Sequence, residues 1–97
     1  NGSSKRFWES GKLIADYTYK DGEFDGINKT YYENGTLMIE EKFENGVPVG
    51  EYVEYHQNGI VKIKGSFENG LKEGKWYVYD EAGKEIDILK YKKGEEN

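Results

Sequence analysis

The chain has 97 residues, which is enough for one small domain or for a segment of a longer repeat array. Only 35% of the residues are apolar and 34% are charged, so a large closed core is disfavoured, and the aromatic share of 15% suits a thin, half-exposed layer. The net charge of −5 argues against binding to nucleic acid or anionic lipid, and the absence of cysteine excludes a disulfide framework.

A period of 24 residues runs through the whole sequence without insertion or deletion, and of the glycines only Gly65 stands outside it. The three glycine series are Gly2, Gly26, Gly50 and Gly74; Gly11, Gly35, Gly59 and Gly83; and Gly22, Gly46, Gly70 and Gly94. A fixed period of this length is typical of stacked repeats. We therefore predict a single repeat domain over residues 1–97 with four units, at 3–26, 27–50, 51–74 and 75–97.

The first two units show the alternation of a half-buried strand. In unit 1, Leu13, Ala15, Tyr17 and Tyr19 are spaced by two residues, and in unit 2 Leu37, Ile39 and Phe43 follow the same parity. A period of two indicates a strand rather than a helix. Asn-Gly or Asp-Gly pairs at 21–22, 34–35, 45–46, 58–59 and 69–70 predict tight turns, because these residues accept positive φ.

The third unit has the clearest expected boundaries: a strand at 50–55, a turn at 56–59, a strand at 60–67 and a turn at 68–74. Gly65 lies in the middle of the second strand, which indicates either a bulge or a place where a neighbouring aromatic ring crosses the backbone. In unit 4, Glu85 and Asp87 occupy the positions that are apolar elsewhere, as expected of an end repeat.

These elements predict an all-β fold: an elongated antiparallel β-meander of 24-residue hairpin repeats in a single layer. With up to eight strands at ~4.8 Å spacing, it would extend for roughly 35–40 Å. Two aromatic series are expected to line one face: Phe7, Tyr31, Tyr55 and Tyr79, and Tyr19, Phe43, Phe67 and Tyr91. Tyr52 and Trp76 are expected on the opposite, mostly charged face.

The third unit also carries a family resemblance. The pattern G-x-(Y/W)-x-x-Y-x-x-(N/A)-G, followed by (L/V)-x-I-x-x-x-F-x-N-G-x-x-x-G, resembles the MORN repeat family, and more closely its bacterial variant in antitoxin-like MORN-repeat proteins. The resemblance covers nearly the whole chain and is best at 27–50 and 51–74. It implies a sheet of hairpin repeats that serves as a protein-interaction or assembly module, with phospholipid binding proposed for eukaryotic members. It implies no catalytic residues.

The aromatic side chains are the best candidates for partner binding, since a single-layer sheet has no second layer to cover them. Tyr52 and Trp76, as large aromatics among charges, are the sharpest candidates, with packing at the strand start as the alternative reading. The further candidates are Tyr31, Tyr55 and Tyr79, with cross-strand packing as their alternative.

No residue set predicts chemistry, a cofactor or a metal. His56 is the only histidine and is expected to be a solvent-exposed turn residue. Asp21, Glu23 and Asp25 alternate as in a calcium loop, but ordinary turn acidity is the preferred interpretation. The equivalent positions of the later units hold Asn45, Val47 and Val49, and then Asn69, Leu71 and Glu73.

The sequence therefore predicts a non-enzymatic module for protein–protein interaction, and the resemblance allows an antitoxin or immunity role. Two alternatives stay open: a structural spacer or surface-protein segment, and a module associated with membrane phospholipid, which the acidic charge disfavours. Self-association through the end strands is a further expectation, because Gly2 is already in phase with Gly26. A cytoplasmic and a surface location both remain open.

Overall fold

Alternating side chains and glycine turns form a sheet with no helix in the described part of the chain. The structure, a computed structural model, describes residues 2–96. Its strands are β1 (Gly2–Phe7), β2 (Leu13–Lys20), β3 (Glu23–Phe24), β4 (Gly26–Tyr31), β5 (Leu37–Glu44), β6 (Val47–Tyr55), β7 (Val61–Glu68), β8 (Leu71–Tyr79), β9 (Glu85–Lys92) and β10 (Glu95–Glu96). β3 and β4 together span the positions that form one continuous strand, β6 or β8, 24 and 48 residues later.

The strands form one open antiparallel sheet whose order follows the chain. The order is β1-β2-β4-β5-β6-β7-β8-β9-β10, and β3 pairs with β2. The sheet measures 39 × 34 × 13 Å, so it is a single layer. The predicted all-β meander and its length are confirmed, and the two-residue strand β10 extends the path beyond the expected eight strands.

Four tight turns along one edge join neighbouring hairpins. Asp21, Asn45, Asn69 and Lys93 have φ of 51–52°, and each is followed by a glycine at 80–84°. Positive φ at two successive residues is the geometry of a type I′ turn, which suits the twist of paired strands. The backbone N–H of Gly46 donates to the carbonyl of Phe24 (2.8 Å), and that of Gly70 donates to Pro48 (3.1 Å). The turns at Gly46, Gly70 and Gly94 thus each fasten one unit to the unit before it.

The expected turn at 68–74 is wrong in extent, because the turn occupies only residues 69–70. β8 already begins at Leu71, and β6 begins at Val47 rather than at Gly50. Gly50 lies inside β6 at φ 72°, where the pairing partners jump from Glu41↔Tyr52 to Phe43↔Pro48. Two residue steps on β5 therefore face four on β6. The glycine is needed for this bulge and does not start the strand.

The turns of the opposite edge are joined by side chains. The hydroxyl of Tyr32 donates to the carbonyl of Tyr55 (2.6 Å), and Nε2 of His56, at the equivalent position, lies 2.9 Å from the carbonyl of Tyr79. His56 is half-buried, so the expectation of a solvent-exposed turn residue is wrong. Its ring links two turns of neighbouring units, and the sequence of one turn does not show that contact.

The two faces of the sheet do not have the composition expected from the sequence. Tyr52 and Trp76 lie on the same face as Phe67, not opposite to it, with ring centroids 5.9 and 5.2 Å from that of Phe67. We call this the front face. Successive side chains of a strand alternate, so Tyr77 and Tyr79, which stack at 6.5 Å, lie on the back face. In each hairpin one step on one strand faces two steps on its partner, at Tyr79 of β8 for example, and this one-residue shift changes the parity that the sequence alone suggests.

The buried interior is small. Ala15 and Trp76 are the buried apolar residues of the described chain, at 0% and 3% exposure, and Asn28 is its buried polar residue, at 3%. A sheet this thin is held mainly by backbone ladders and by contacts within each face. The largest group of such contacts within a face is the set of aromatic side chains on the front face.

Candidate functional site

The front face is organised around a tryptophan that lies flat against a backbone. Trp76 of β8 covers Gly65 of β7 so closely that a Cβ at residue 65 would lie 2.1 Å from its Cδ2. The indole Nε1 donates to the carbonyl of Ser66 (3.1 Å). Both expectations for Gly65 are confirmed, because an aromatic ring crosses its backbone and the pairing of β7 with β8 shifts between Lys64 and Ser66. No other residue type leaves space for this ring.

Three more rings pack around Trp76. Its ring centroid lies 5.4 Å from Tyr52, 5.2 Å from Phe67 and 6.1 Å from Tyr91. Phe67 and Tyr91 meet it edge-on, at interplanar angles of 86° and 75°. Each such pair contributes about 0.5–1.5 kcal/mol beyond area burial. We call Tyr52, Phe67, Trp76 and Tyr91 the Trp76 cluster.

Lys72 covers this cluster from the strand start of β8. Its Nζ lies 5.1 Å from the ring centroid of Trp76 and 4.9 Å from that of Tyr91. Both distances are within the range of a cation–π interaction. Lys72 therefore closes one side of the Trp76 cluster and places a positive charge there.

A second cluster lies on the same face nearer the start of the chain. Phe24 packs against Tyr17 (5.3 Å), Tyr19 (5.0 Å) and Phe43 (5.3 Å). Phe24 holds the position that Lys72 holds 48 residues later. Sequence reasoning missed both residues, because this position changes type from unit to unit and gives no periodic signal. The signal that could have identified this position is its location two residues before the glycine at the bulge.

An open groove of ≈ 300 Å³ lies beside the Trp76 cluster. Its walls are mainly apolar, and besides the cluster and Lys72 they include Glu54, Ile63, Val78 and Leu89. The Tyr52 hydroxyl donates to Oε1 of Glu54 (2.9 Å), which fixes the carboxylate at the wall. Nζ of Lys62 lies 3.4 Å from Oε2 of Glu54, so the groove combines an aromatic base with an ion-paired carboxylate at one wall and the Lys72 ammonium at another.

Polar groups between the two clusters are partly desolvated. Burial raises the pKa of Tyr52, and the hydrogen bond to Glu54 and the negative charges of Glu54 and Glu41 raise it further. Burial also raises the pKa of Glu41. Glu41 pairs in register with Asn28, whose Oδ1 accepts from the backbone N–H of Thr18 (2.8 Å). Nδ2 of Asn28 has no hydrogen-bond partner within residues 2–96.

The structure separates the residues that the sequence singled out. Tyr52 and Trp76 meet in one cluster on the front face, but Trp76 forms its buried base and Tyr52 one of its half-exposed walls. Tyr79 stacks on Tyr77 on the back face, and Tyr31 and Tyr55 hold the equivalent positions of the earlier units. The expectation that both aromatic series share one face is therefore wrong.

No group of three or more histidine, aspartate or glutamate side chains in the described chain is arranged to hold a metal ion. Across the same residues, no helix has the length and apolar character needed to span a membrane.

Comparison with known families matches the chain to a model described as a MORN repeat variant, at residues 1–21, 24–45 and 48–69. These three segments cover well over half of the chain, and the second and third begin 24 residues apart, as the glycine series do. No curated protein and no solved structure was found to match. The chain belongs to the MORN repeat variant family.

Proposed function

We propose that this chain is a non-catalytic protein-binding module whose front face takes an apolar side chain of a partner into the groove beside the Trp76 cluster. The supporting observation is the thickness of 13 Å: the described chain supplies a single layer, and no second layer covers the front-face rings. Broad aromatic surfaces without cover usually mark interfaces.

The groove has the features of a binding hot spot. Tyr and Trp side chains supply much of the free energy at protein interfaces because they bury large areas with few rotatable bonds. Here Trp76 is locked by Gly65 and by its bond to Ser66, so the base of the groove is already formed. Glu54 and Lys72 at the walls can orient a polar backbone next to the inserted side chain.

The experiment places a photo-reactive phenylalanine analogue at position 52 of the full chain and, as a control, at position 27. Ile27 is 49% exposed and pairs with Lys42, on the back face. In cells that express the chain natively, we expect one protein to be cross-linked through position 52 and not through position 27. Cross-links of equal yield from both positions, or from neither, contradict the proposal.

The finer proposal is that the partner is a toxin that the module neutralises by covering it. Its support is the resemblance to the antitoxin-like variant. The test is growth: expression of the cross-linked partner alone should arrest the cells, and co-expression of this chain should restore growth. A partner whose expression leaves growth unchanged contradicts the toxin proposal and leaves the binding proposal intact.

A structural spacer is the second candidate, and the turn ladders favour it. The bonds from Gly46 to Phe24 and from Gly70 to Pro48 propagate from unit to unit and need no partner. The same cross-linking experiment separates the two functions, since a spacer gives no specific adduct at position 52. Sedimentation with anionic vesicles tests the phospholipid alternative, which predicts binding at low salt.

A further inference from the structure

Charges on the first half of the back face alternate in register. Lys5 pairs with Asp16, Asp16 with Lys29, and Lys29 with Glu40 across four neighbouring strands. Nζ of Lys5 lies 3.2 Å from Oδ2 of Asp16. Opposite charges at facing positions stabilise a sheet, so this part of the back face is balanced by its own residues.

The balance fails at the other end of the same face. The row continues as Val53, Lys64, Tyr77 and Ile88, with no carboxylate. In the next row Lys75 lies directly opposite Lys90, and like charges at facing positions destabilise a sheet. Among the described residues, no ion pair involves Lys64, Lys75 or Lys90, and all three side chains are exposed.

Apolar surface lies between these lysines. Ile88 is 41% exposed although it is β-branched and sits in mid-strand. Tyr77, its register partner, stacks on Tyr79. We call Lys64, Lys75, Tyr77, Ile88 and Lys90 the back patch. It combines three lysines that form no ion pair with an apolar centre, and the nearby Glu73 accepts a hydrogen bond from the backbone N–H of Lys93 (2.9 Å).

We propose that the back patch binds an acidic segment of a protein, with two or three carboxylates near the lysines and an apolar side chain on Tyr77 and Ile88. A short acidic segment brings the counter-charge that the Lys75–Lys90 pair lacks. This surface is separate from the front-face groove, so the module can hold two partners, one on each side of the sheet.

The size of the patch favours a short segment over an extended polyanion. A membrane surface or a nucleic acid would extend past the three lysines and meet Asp16, Glu40 and Glu51 on the same face. At a Debye length of about 8–10 Å, a segment confined to the patch interacts mainly with the lysines.

The probe is a capped peptide of eight residues that alternates glutamate with isoleucine. Titration into the full chain at low salt is followed by the backbone amide shifts in two-dimensional NMR. We expect the shifts to concentrate in β7, β8 and β9 at back-patch residues, and the affinity to fall as salt is added. A peptide with glutamine in place of glutamate should bind at least about tenfold more weakly, which corresponds to about 1.4 kcal/mol.

Lys75→Glu is the deciding variant, and Lys29→Glu is its matched control on the balanced half of the same face. Lys75→Glu replaces a repulsive pair with an attractive one, so it should unfold at a higher urea concentration while peptide affinity falls at least about tenfold. Lys29→Glu should leave peptide affinity unchanged. Cross-linking through position 52 should be unaffected by either change, which separates this surface from the front groove.

Three results would overturn the proposal. One is equal affinity of Lys75→Glu and the unchanged chain for the acidic peptide. Another is equal affinity for the acidic and glutamine peptides, which would mean that the lysines take no part. The third is sedimentation with anionic vesicles that is stronger than peptide binding and is lost in Lys75→Glu, which would assign the patch to a membrane surface instead.

Discussion

Gly65 and Trp76 are the pair of residues on which the front face most depends. The ring of Trp76 occupies the space where any side chain at position 65 would begin. In the preceding unit the facing pair is Glu41 and Tyr52, and the tyrosine is half-exposed, with its hydroxyl donating to Glu54. The single glycine outside the 24-residue period therefore marks the place where the tryptophan can lie flat.

Gly65→Ala should destabilise the fold by about 1–3 kcal/mol, because the new Cβ must displace the Trp76 ring from a packed position. Urea unfolding measures the loss. In a Trp8→Phe background the emission of Trp76 alone should shift to longer wavelength. Ser66→Ala is the control, since the Ser66 carbonyl that accepts from Trp76 is kept. Unchanged emission and midpoint in Gly65→Ala would show that the ring does not press on this backbone.

Glu41 makes the stability of the front face depend on pH. Burial raises its pKa above the ordinary value of 4.5, so the folded chain holds a proton that the unfolded chain has released. This contribution to stability is fully present below pH 4.5 and is lost as the pH rises through the folded pKa. At neutral pH the carboxylate therefore lowers the free energy of unfolding.

Glu41→Gln should remove this loss and raise the urea midpoint at pH 7, with a smaller gain at pH 4. Glu40→Gln is the matched control, because Glu40 is adjacent in sequence but lies on the back face opposite Lys29. That change should lower the midpoint at pH 7 or leave it unchanged. The same gain for Glu41→Gln at both pH values would mean that its effect comes from packing rather than from protonation.

At the scale of the element, the four turns along one edge of the sheet have positive φ at both of their central residues. Gly22 and Gly70 hold the same turn position, at φ 82° and 83°, but their surroundings differ. A Cβ at Gly22 would meet nothing within 4 Å, whereas one at Gly70 would lie 2.9 Å from Cγ1 of Val47. A side chain at Gly22 would therefore introduce backbone strain alone, whereas one at Gly70 would introduce backbone strain and a steric clash.

Gly22→Ala should cost about 1–2 kcal/mol from left-handed backbone strain alone. Gly70→Ala should cost more, because strain adds to the clash with Val47 across two units. Urea unfolding of both variants gives the comparison, and Val47→Ala in the Gly70→Ala background should recover the difference. Equal losses for Gly22→Ala and Gly70→Ala would show that the units are not in contact at this edge.

At the scale of the whole molecule, the sheet is stabilised almost entirely by contacts between adjacent strands. Apart from the two-residue β3, which pairs with β2 beside the main path, each strand of the described chain pairs with the next one along the chain, and the order contains no crossover. Stability in such a series is close to a sum of unit and interface terms. One complete unit can therefore be removed if the join preserves the register, which makes the proposed unit boundaries testable.

Deletion of 27–50 should leave a folded sheet, because Gly26 then takes the place of Gly50 before Glu51. Circular dichroism should retain the β signal, and the urea m-value should fall by about a quarter, in line with the surface lost. Deletion of 27–44, which is out of phase, should not fold cooperatively. Equal behaviour of the two deletions would contradict the 24-residue unit.

The sequence was sufficient to predict the repeat architecture, because a 24-residue period without insertions places every turn and strand at an equivalent position in each unit. It predicted the meander, the Asn-Gly turns and the unusual role of Gly65. It was wrong on the faces, since a one-residue shift in the pairing beside Tyr55 and Tyr79 changes the side-chain parity within each hairpin. Tyr52 and Trp76 were found as residues of interest, but Phe24 and Lys72, which cover the clusters, gave no periodic signal.

The sequence by itself determined the fold class, the unit length and the family, because these depend on spacing along the chain. Only the tertiary structure decided which side chains share a face, that Trp76 is buried rather than exposed, and that Lys75 faces Lys90. These facts depend on the register between strands, which brings together residues such as Gly65 with Trp76 and Lys75 with Lys90 that are distant in sequence. A shift in the pairing of β7 with β8 at the Lys64–Ser66 bulge brings Trp76 over Gly65, and no local pattern records that shift.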